Sequence, residues 1–91
     1  MTTMTRIYPS VTVYTKDDCR QCDATKRWLT ARGVLFTTGD LTDPDNLAAA
    51  KSLGHMQAPV VVVSNGKPGD DTHWSGFNPT ELTKHFTKES N

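Results

Sequence analysis

The sequence predicts an α/β domain of two layers, built on a four-stranded mixed sheet with three flanking helices. Three observations lead to this fold class. β-Branched segments alternate with segments of helical period, each helical segment opens with a capping signal, and turn dipeptides separate the last two strands. With 91 residues the chain is expected to be one domain over residues 1–91, of which residues 1–10 form a short lead-in.

The first third of the chain predicts a strand, a helix and a second strand. Residues 11–15 and 34–38 are β-branched and aromatic, which is typical of strands. Between them, Asp18 lies three residues before Gln21, which matches a capping box, so the helix is predicted to begin with Cys19 as its first residue. The helix has an apolar stripe and a terminating glycine: Ala24, Trp28, Leu29, Ala31 and Gly33.

The rest of the chain predicts a helix, a hairpin and a last helix. Asp43, followed by a proline, is a helix cap, and Gly54 closes that helix, whose thin apolar stripe is Leu47, Ala50 and Leu53. The valine run of residues 60–63 predicts a strand covered on both faces, and residues 64–71 predict the turn to a returning strand over residues 72–75. The last helix is marked by a second cap and two inward apolar residues: Asn78, Pro79, Glu81, Leu82 and Phe86. The first two strands are expected to be parallel and the last two antiparallel.

Charge and hydropathy exclude several classes of protein. Ten acidic residues balance ten basic ones, so the chain has no net electrostatic attraction to nucleic acid or to an anionic membrane. No stretch approaches the roughly 20 apolar residues of a membrane span, and residues 1–6 lack the apolar core of a secretory signal. The protein is therefore expected in the cytoplasm, where thiols are kept reduced.

The motif Cys19-Arg20-Gln21-Cys22 predicts dithiol chemistry. Cys-x-x-Cys after a strand and at the start of a helix is the context of a thioredoxin-like redox motif. Residues three apart on a helix face each other, and free N–H groups with the helix dipole favour a thiolate at Cys19. Cys19 is thus predicted to attack a substrate disulfide and Cys22 to resolve the mixed disulfide. Charges of both signs flank the pair: Lys16 and Arg20 favour the thiolate, whereas Asp17, Asp18 and Asp23 oppose it.

Two other interpretations of the cysteines stay open at this point. A metal site would need two more ligands, and no histidine among His55, His73 and His85 has the close spacing of a zinc half-site. A structural disulfide would close a very short loop in a reducing compartment, where it would add little stability. No metal is therefore expected.

Two further segments are candidates for the site. Ala58-Pro59 lies directly before the valine run, where Pro59 is either an ordinary first residue of a strand or part of a cis peptide bond that presents the backbone of Ala58 to a substrate peptide. Trp74-Ser75-Gly76-Phe77 joins the last strand to the last helix; its aromatic residues either pack in the core or form an exposed docking patch for a partner.

The sequence resembles the NrdH-redoxin family of glutaredoxin-like proteins from about residue 11 to residue 86. The similarity lies in four segments: Tyr14-Thr15-Lys16, Cys19 to Lys26, Gln57-Ala58-Pro59-Val60-Val61 and His73-Trp74-Ser75-Gly76-Phe77. The resemblance implies a thioredoxin-like fold with sheet order 2-1-3-4 and a cis Pro59. It also implies an electron donor to class Ib ribonucleotide reductase that thioredoxin reductase and NADPH reduce, acting as a monomer with no bound cofactor.

The candidate residues for contact with partners lie around the motif and in the two further segments: Lys16, Arg20, Gln21, Ala58, Pro59, Trp74, Ser75, Gly76 and Phe77. The resemblance implies such contact for the turn from Trp74 to Phe77. The chain departs from the family pattern at Asp17, where a proline is common, and at Asn78, where an arginine is usual. The predicted hairpin loop and the lead-in also look longer than usual. A glutathione-dependent glutaredoxin is the alternative, although glutaredoxins usually carry Cys-Pro-Tyr-Cys and Thr-Val-Pro at the corresponding segments.

Overall fold

The computed structural model describes residues 10–64 and 71–86, so the predicted lead-in up to residue 9 and the turn dipeptides of residues 65–70 lie outside the described residues. The elements follow in the predicted order: β1 (Ser10–Thr15), α1 (Arg20–Ala31), β2 (Thr37–Asp40), α2 (Pro44–Ser52), β3 (Val60–Ser64), β4 (Thr72–Ser75) and α3 (Pro79–Phe86). No helix in these two stretches has the length and apolar character that a membrane crossing requires.

The four strands form one mixed sheet in the order β2-β1-β3-β4. β1 runs parallel to β2 and antiparallel to β3, and β3 runs antiparallel to β4. The central strands β1 and β3 carry valines because both of their edges are paired and their faces are covered. The predicted sheet order and strand directions are confirmed.

Helices cover both faces of the sheet, so the prediction of two layers is corrected to three. Leu29 of α1 and Leu82 of α3 are fully buried on one face, in a core formed by Val11, Val13, Leu29, Val61, Val63, Trp74 and Leu82. Side chains alternate along a strand, so Val60 points to the opposite face, where it lines a groove together with Ala50 of α2. The thin stripe of α2 is sufficient because this helix packs through its small residue Ala50.

The second strand begins three residues later than predicted, at Thr37 rather than at residue 34. The N–H of Val34 donates to the carbonyl of Leu29 at 3.0 Å, so this residue closes the end of α1 instead of pairing in the sheet. The paired residues are the polar stretch Thr37–Asp40, which lies at an edge of the sheet. An edge strand tolerates polar residues that a central strand would exclude.

The first helix also begins one residue later than predicted. Cys19 has extended backbone angles and is the N-cap, and Asp18 instead has a left-handed backbone with φ of 54°. The sulfur of Cys19 accepts the N–H of Cys22 at 3.1 Å and so replaces the carboxylate oxygen that was expected there. The predicted capping box of Asp18 and Gln21 is therefore wrong.

The remaining helix boundaries agree with their predicted signals. Gly33, with φ of 71°, ends α1. The carboxylate of Asp43 accepts the N–H of Asp45 at 2.8 Å at the start of α2. The amide oxygen of Asn78 accepts the N–H of Glu81 at 3.1 Å at the start of α3. Asn78, which departs from the family pattern, thus serves as a helix cap.

We predict that Gly39→Ala destabilises the fold. A Cβ at Gly39 would lie 2.7 Å from Cδ1 of the Tyr14 ring, closer than packed atoms can approach, so the strand or the ring must move. The expected loss is about 1–3 kcal/mol in the free energy of unfolding, measured by urea denaturation. In a Tyr14→Val background the same change should cost clearly less; an equal cost in both backgrounds would refute the steric explanation.

Candidate redox site

Cys19 and Cys22 form a disulfide at the start of α1, with their Cα atoms 5.2 Å apart. The two sulfurs differ in access, because Cys22 is 1% exposed whereas Cys19 is partly exposed at the tip of the helix. The N–H of Cys22 points at the sulfur of Cys19. In the dithiol this N–H, which has no backbone acceptor, and the helix dipole both favour negative charge on Cys19. The arrangement leaves Cys19 as the accessible cysteine of the pair and Cys22 as the buried one.

Two segments that are distant in the sequence meet at the start of β3. The peptide bond between Ala58 and Pro59 is cis, as one of the two interpretations of this segment predicted. The N–H of Gly76 donates to the carbonyl of Pro59 at 2.8 Å, and Gly76 has φ of 81°, which favours glycine. This bond fastens the turn after β4 to the start of β3.

Gln21 connects the redox motif to the same turn. Its Oε1 atom accepts the N–H of Phe77 at 2.8 Å, and a Cβ on Gly76 would lie 3.0 Å from that oxygen. The sequence pattern assigned Gln21 to helix capping and to partner contact and did not predict this bond. The signal that could have suggested it is the side-chain amide at the middle of the motif, next to a turn without a side chain.

The aromatic residues of the turn are not an exposed pair. Trp74 is 7% exposed, belongs to the core and stacks on His85 with ring centroids 5.5 Å apart. Phe77 is partly buried and packs against the same core, and Ser75 is partly buried at the end of β4. The interpretation of Trp74 as a core residue therefore describes the structure, and the docking patch of two exposed aromatic residues is corrected.

The charged residues around the motif lie at the surface. Lys16, Asp17, Asp18 and Arg20 are exposed. Asp23 forms an ion pair with Lys26 at 3.7 Å, which offsets part of the negative charge near Cys19. Salt bridges of this exposed kind contribute little to stability, so their effect is on the local field.

A groove runs beside the site between α2 and the sheet, and we call it the α2 groove. Apolar and basic residues line it, among them Lys16, Leu47, Lys51, His55, Met56 and Ala58. Thr42 also lines it, and its N–H and hydroxyl both donate to Asp40 at 2.8 Å, which lowers the pKa of that exposed carboxyl. In the part of the chain that the structure describes, no three potential metal ligands come together.

A mixed sheet with a disulfide at the start of the first helix and a cis proline directly before β3 defines a thiol–disulfide oxidoreductase of thioredoxin-like fold. Residues 11–68 match the Glutaredoxin family. The chain is 38% identical to the glutaredoxin-like protein NrdH of Salmonella typhimurium over 77 residues, which are 82% of this chain and 86% of the relative. The solved NrdH-redoxin of Escherichia coli is 37% identical with a TM-score of 0.69, over 82% of this chain and 92% of that one. The chain therefore belongs to the NrdH-redoxin family of glutaredoxin-like proteins.

We predict that Gln21→Leu loosens the turn after β4, because Phe77 loses the acceptor of its N–H. The bond is exposed, so the expected loss is about 1 kcal/mol in the free energy of unfolding of the oxidised protein. Gln21→Glu keeps an acceptor of the same shape and should retain most of that stability. Equal losses in both variants, measured by denaturant unfolding, would contradict the assignment of this bond.

Proposed function

We propose that the protein carries electrons from thioredoxin reductase and NADPH to class Ib ribonucleotide reductase, as a cytoplasmic monomer without a bound cofactor. The observation that carries the proposal is the disulfide at the start of α1, with one partly exposed and one buried sulfur. A permanent staple would not need one reachable sulfur, whereas a dithiol that exchanges with partners does.

The proposed reaction proceeds in two exchanges that balance in atoms and electrons. The Cys19 thiolate attacks one sulfur of the substrate disulfide, forms a mixed disulfide and releases the other substrate sulfur as a thiolate that takes up a proton. Cys22, as a thiolate, then attacks the sulfur of Cys19, forms the intramolecular disulfide and releases the second substrate thiol. The substrate gains two electrons and the protein loses two.

The partner assignment is supported by the relatives and by the surface of the site. The solved relative from Escherichia coli is described as glutaredoxin-like with a thioredoxin-like activity profile. In this chain, Arg20 and Gln21 replace the Pro-Tyr usual in glutaredoxins. The residues proposed to contact partners are the exposed or backbone-presenting ones around the disulfide: Lys16, Arg20, Gln21, Ala58, Pro59, Ser75, Gly76 and Phe77.

A glutathione-dependent glutaredoxin is the second candidate, and one observation favours it. Residues 11–68 match the Glutaredoxin family, and Lys16 lies exposed in the α2 groove beside Ala58. A small anionic thiol peptide would find both a cation and a free backbone edge there. The two candidates differ in what reduces the oxidised protein.

We expect oxidised protein to be reduced by thioredoxin reductase with NADPH and not by glutathione with glutathione reductase. Consumption of NADPH, coupled to reduction of insulin disulfides, measures both routes in parallel on one preparation. Rapid recycling by glutathione alone would establish the second candidate instead. A purified ribonucleotide reductase whose turnover depends on added protein then tests the proposed acceptor.

We also expect the two cysteines to fail in different ways. Cys19→Ser removes the nucleophile and should lower turnover to below about one per cent of wild type. Cys22→Ser should still attack but not resolve, so it should accumulate a mixed disulfide with the substrate, detectable by mass spectrometry under non-reducing conditions. Trapping by Cys19→Ser and not by Cys22→Ser would reverse the assigned roles.

A further inference from the structure

Two histidines that are far apart in the sequence meet on the face of the sheet opposite Trp74. Nε2 of His55, in the loop after α2, lies 2.7 Å from Nδ1 of His73, on β4, and the two rings are nearly perpendicular. Both residues are partly buried. The predicted chemistry of the site does not use either histidine.

The pair fastens one end of the segment that precedes Pro59. His55 is tied to β4 through His73, and Pro59 is tied to the end of the same strand through the N–H of Gly76. Between these two ties lie Met56, Gln57 and Ala58, which belong to no helix or strand. Within the described residues, the histidine pair is the side-chain hydrogen bond that connects this segment to the sheet.

Met56 and Gln57 are exposed, and Ala58 is partly buried. Met56 is 82% exposed, and the segment lines the α2 groove together with Lys16. An apolar side chain at this exposure is a ready contact for a partner, and Ala58 presents its backbone next to the cis bond. Movement of this segment therefore changes the surface that a substrate meets.

A hydrogen bond between two imidazoles depends on their protonation. One ring must donate an N–H and the other must accept with a lone pair, so the bond exists when the pair holds no extra proton or one, and it is lost when both rings are cationic. Each charged ring also repels the other at this distance.

We infer that His55 and His73 are a positioning pair that holds the segment Met56–Ala58 for partner disulfides at neutral pH and releases it in mild acid. The inference rests on the proposed function only in what it says about partner disulfides. The release of the segment itself can be measured without enzymatic turnover.

The surrounding charges agree with the direction of this switch. Burial, and then the charge of His73, lower the pKa of His55 below its ordinary value of 6.5. Two cations line the α2 groove together with His55: Lys51 from α2 and Lys16 from the loop after β1. The residues of β3 that face the pair are uncharged valines, and the acidic residue Asp71 directly precedes β4. The unfolded chain takes up a proton at His55 more readily than the native state does, so the stability that the neutral His55 contributes is fully present above pH 6.5 and declines as the pH falls towards its lowered pKa. The hydrogen bond itself is lost at the pH where both rings are cationic.

The first experiment uses the oxidised protein, in which the cysteines do not titrate. Amide exchange of Gly76, whose N–H bonds Pro59, is measured by NMR at pH 7.5 and pH 5.0 and corrected for the intrinsic exchange rate. In wild type the protection of Gly76 should fall about fivefold in acid, which corresponds to about 1 kcal/mol. His73→Gln keeps a hydrogen-bonding side chain without a charge, so its protection should stay constant.

The matched control is His85→Gln, since His85 stacks on Trp74 on the other face of the sheet. This variant should show the same loss of Gly76 protection in acid as wild type. His55→Gln is the second variant and should behave as His73→Gln does, which keeps the test decisive if one of them folds poorly. Protection that is independent of pH in wild type, or that falls equally in both pair variants, would overturn the inference.

The second experiment measures kcat and KM for insulin disulfide reduction over the same pH range. The ratio of wild type to His73→Gln cancels the titration of the cysteines, and this ratio of kcat/KM should fall about fivefold in acid, mainly through KM. Parallel pH profiles for the two proteins would overturn the inference even with full activity. Loss of Gly76 protection in a protein without any reductase activity would instead refute the proposed function and leave the histidine switch in place.

Discussion

The structure depends on the contact between the sulfur of Cys19 and the N–H of Cys22. A cysteine at the N-cap places its sulfur where the first turn of a helix leaves N–H groups without a backbone partner, so the residue that caps the helix is also the proposed nucleophile. With an aspartate at the cap, a carboxylate would occupy this position and the helix dipole would stabilise the wrong anion. Asp18 is not at the cap: it precedes Cys19 and has a left-handed backbone conformation.

Hydrogen bonds also connect three segments of the chain, one of which is the first turn of α1. Gln21 accepts the N–H of Phe77, and Gly76 donates to the carbonyl of Pro59. These two bonds connect the start of α1 to the turn after β4, and that turn to the loop before β3. We call these three connected segments the frame. Because the frame consists of backbone groups and one side-chain amide, it can carry different surface residues without losing its shape.

The sequence predicted what local patterns determine. The valine run marked β3, and Asp43 and Asn78 marked the starts of their helices, because a cap acts within three residues. The start of α1 was missed by one residue because the capping rule prefers an oxygen to a sulfur. β2 was misplaced because Val34 looks like a strand residue, although its N–H completes the end of α1.

Contacts across the fold could not be predicted in this way. Gln21 and Phe77 are 56 residues apart in the sequence. His55 and His73 are 18 residues apart, with β3 between them in the chain. Neither pair has a spacing that a helix or a strand would reveal, so both became visible only once the sheet order brought the segments together.

The unequal burial of the two sulfurs also gives the exchange its direction. A partner can reach the sulfur of Cys19, whereas Cys22, at 1% exposure, can be reached only from within the molecule. In the proposed reaction, an external thiolate that reduces the disulfide therefore attacks Cys19, and the mixed disulfide with a substrate forms there too. Cys22 is next to that bond in both cases, held one turn below by the helix. Its attack needs no diffusion, so resolution competes well with any external thiol. Burial of Cys22 alone thus makes both proposed half-reactions pass through the partly exposed Cys19.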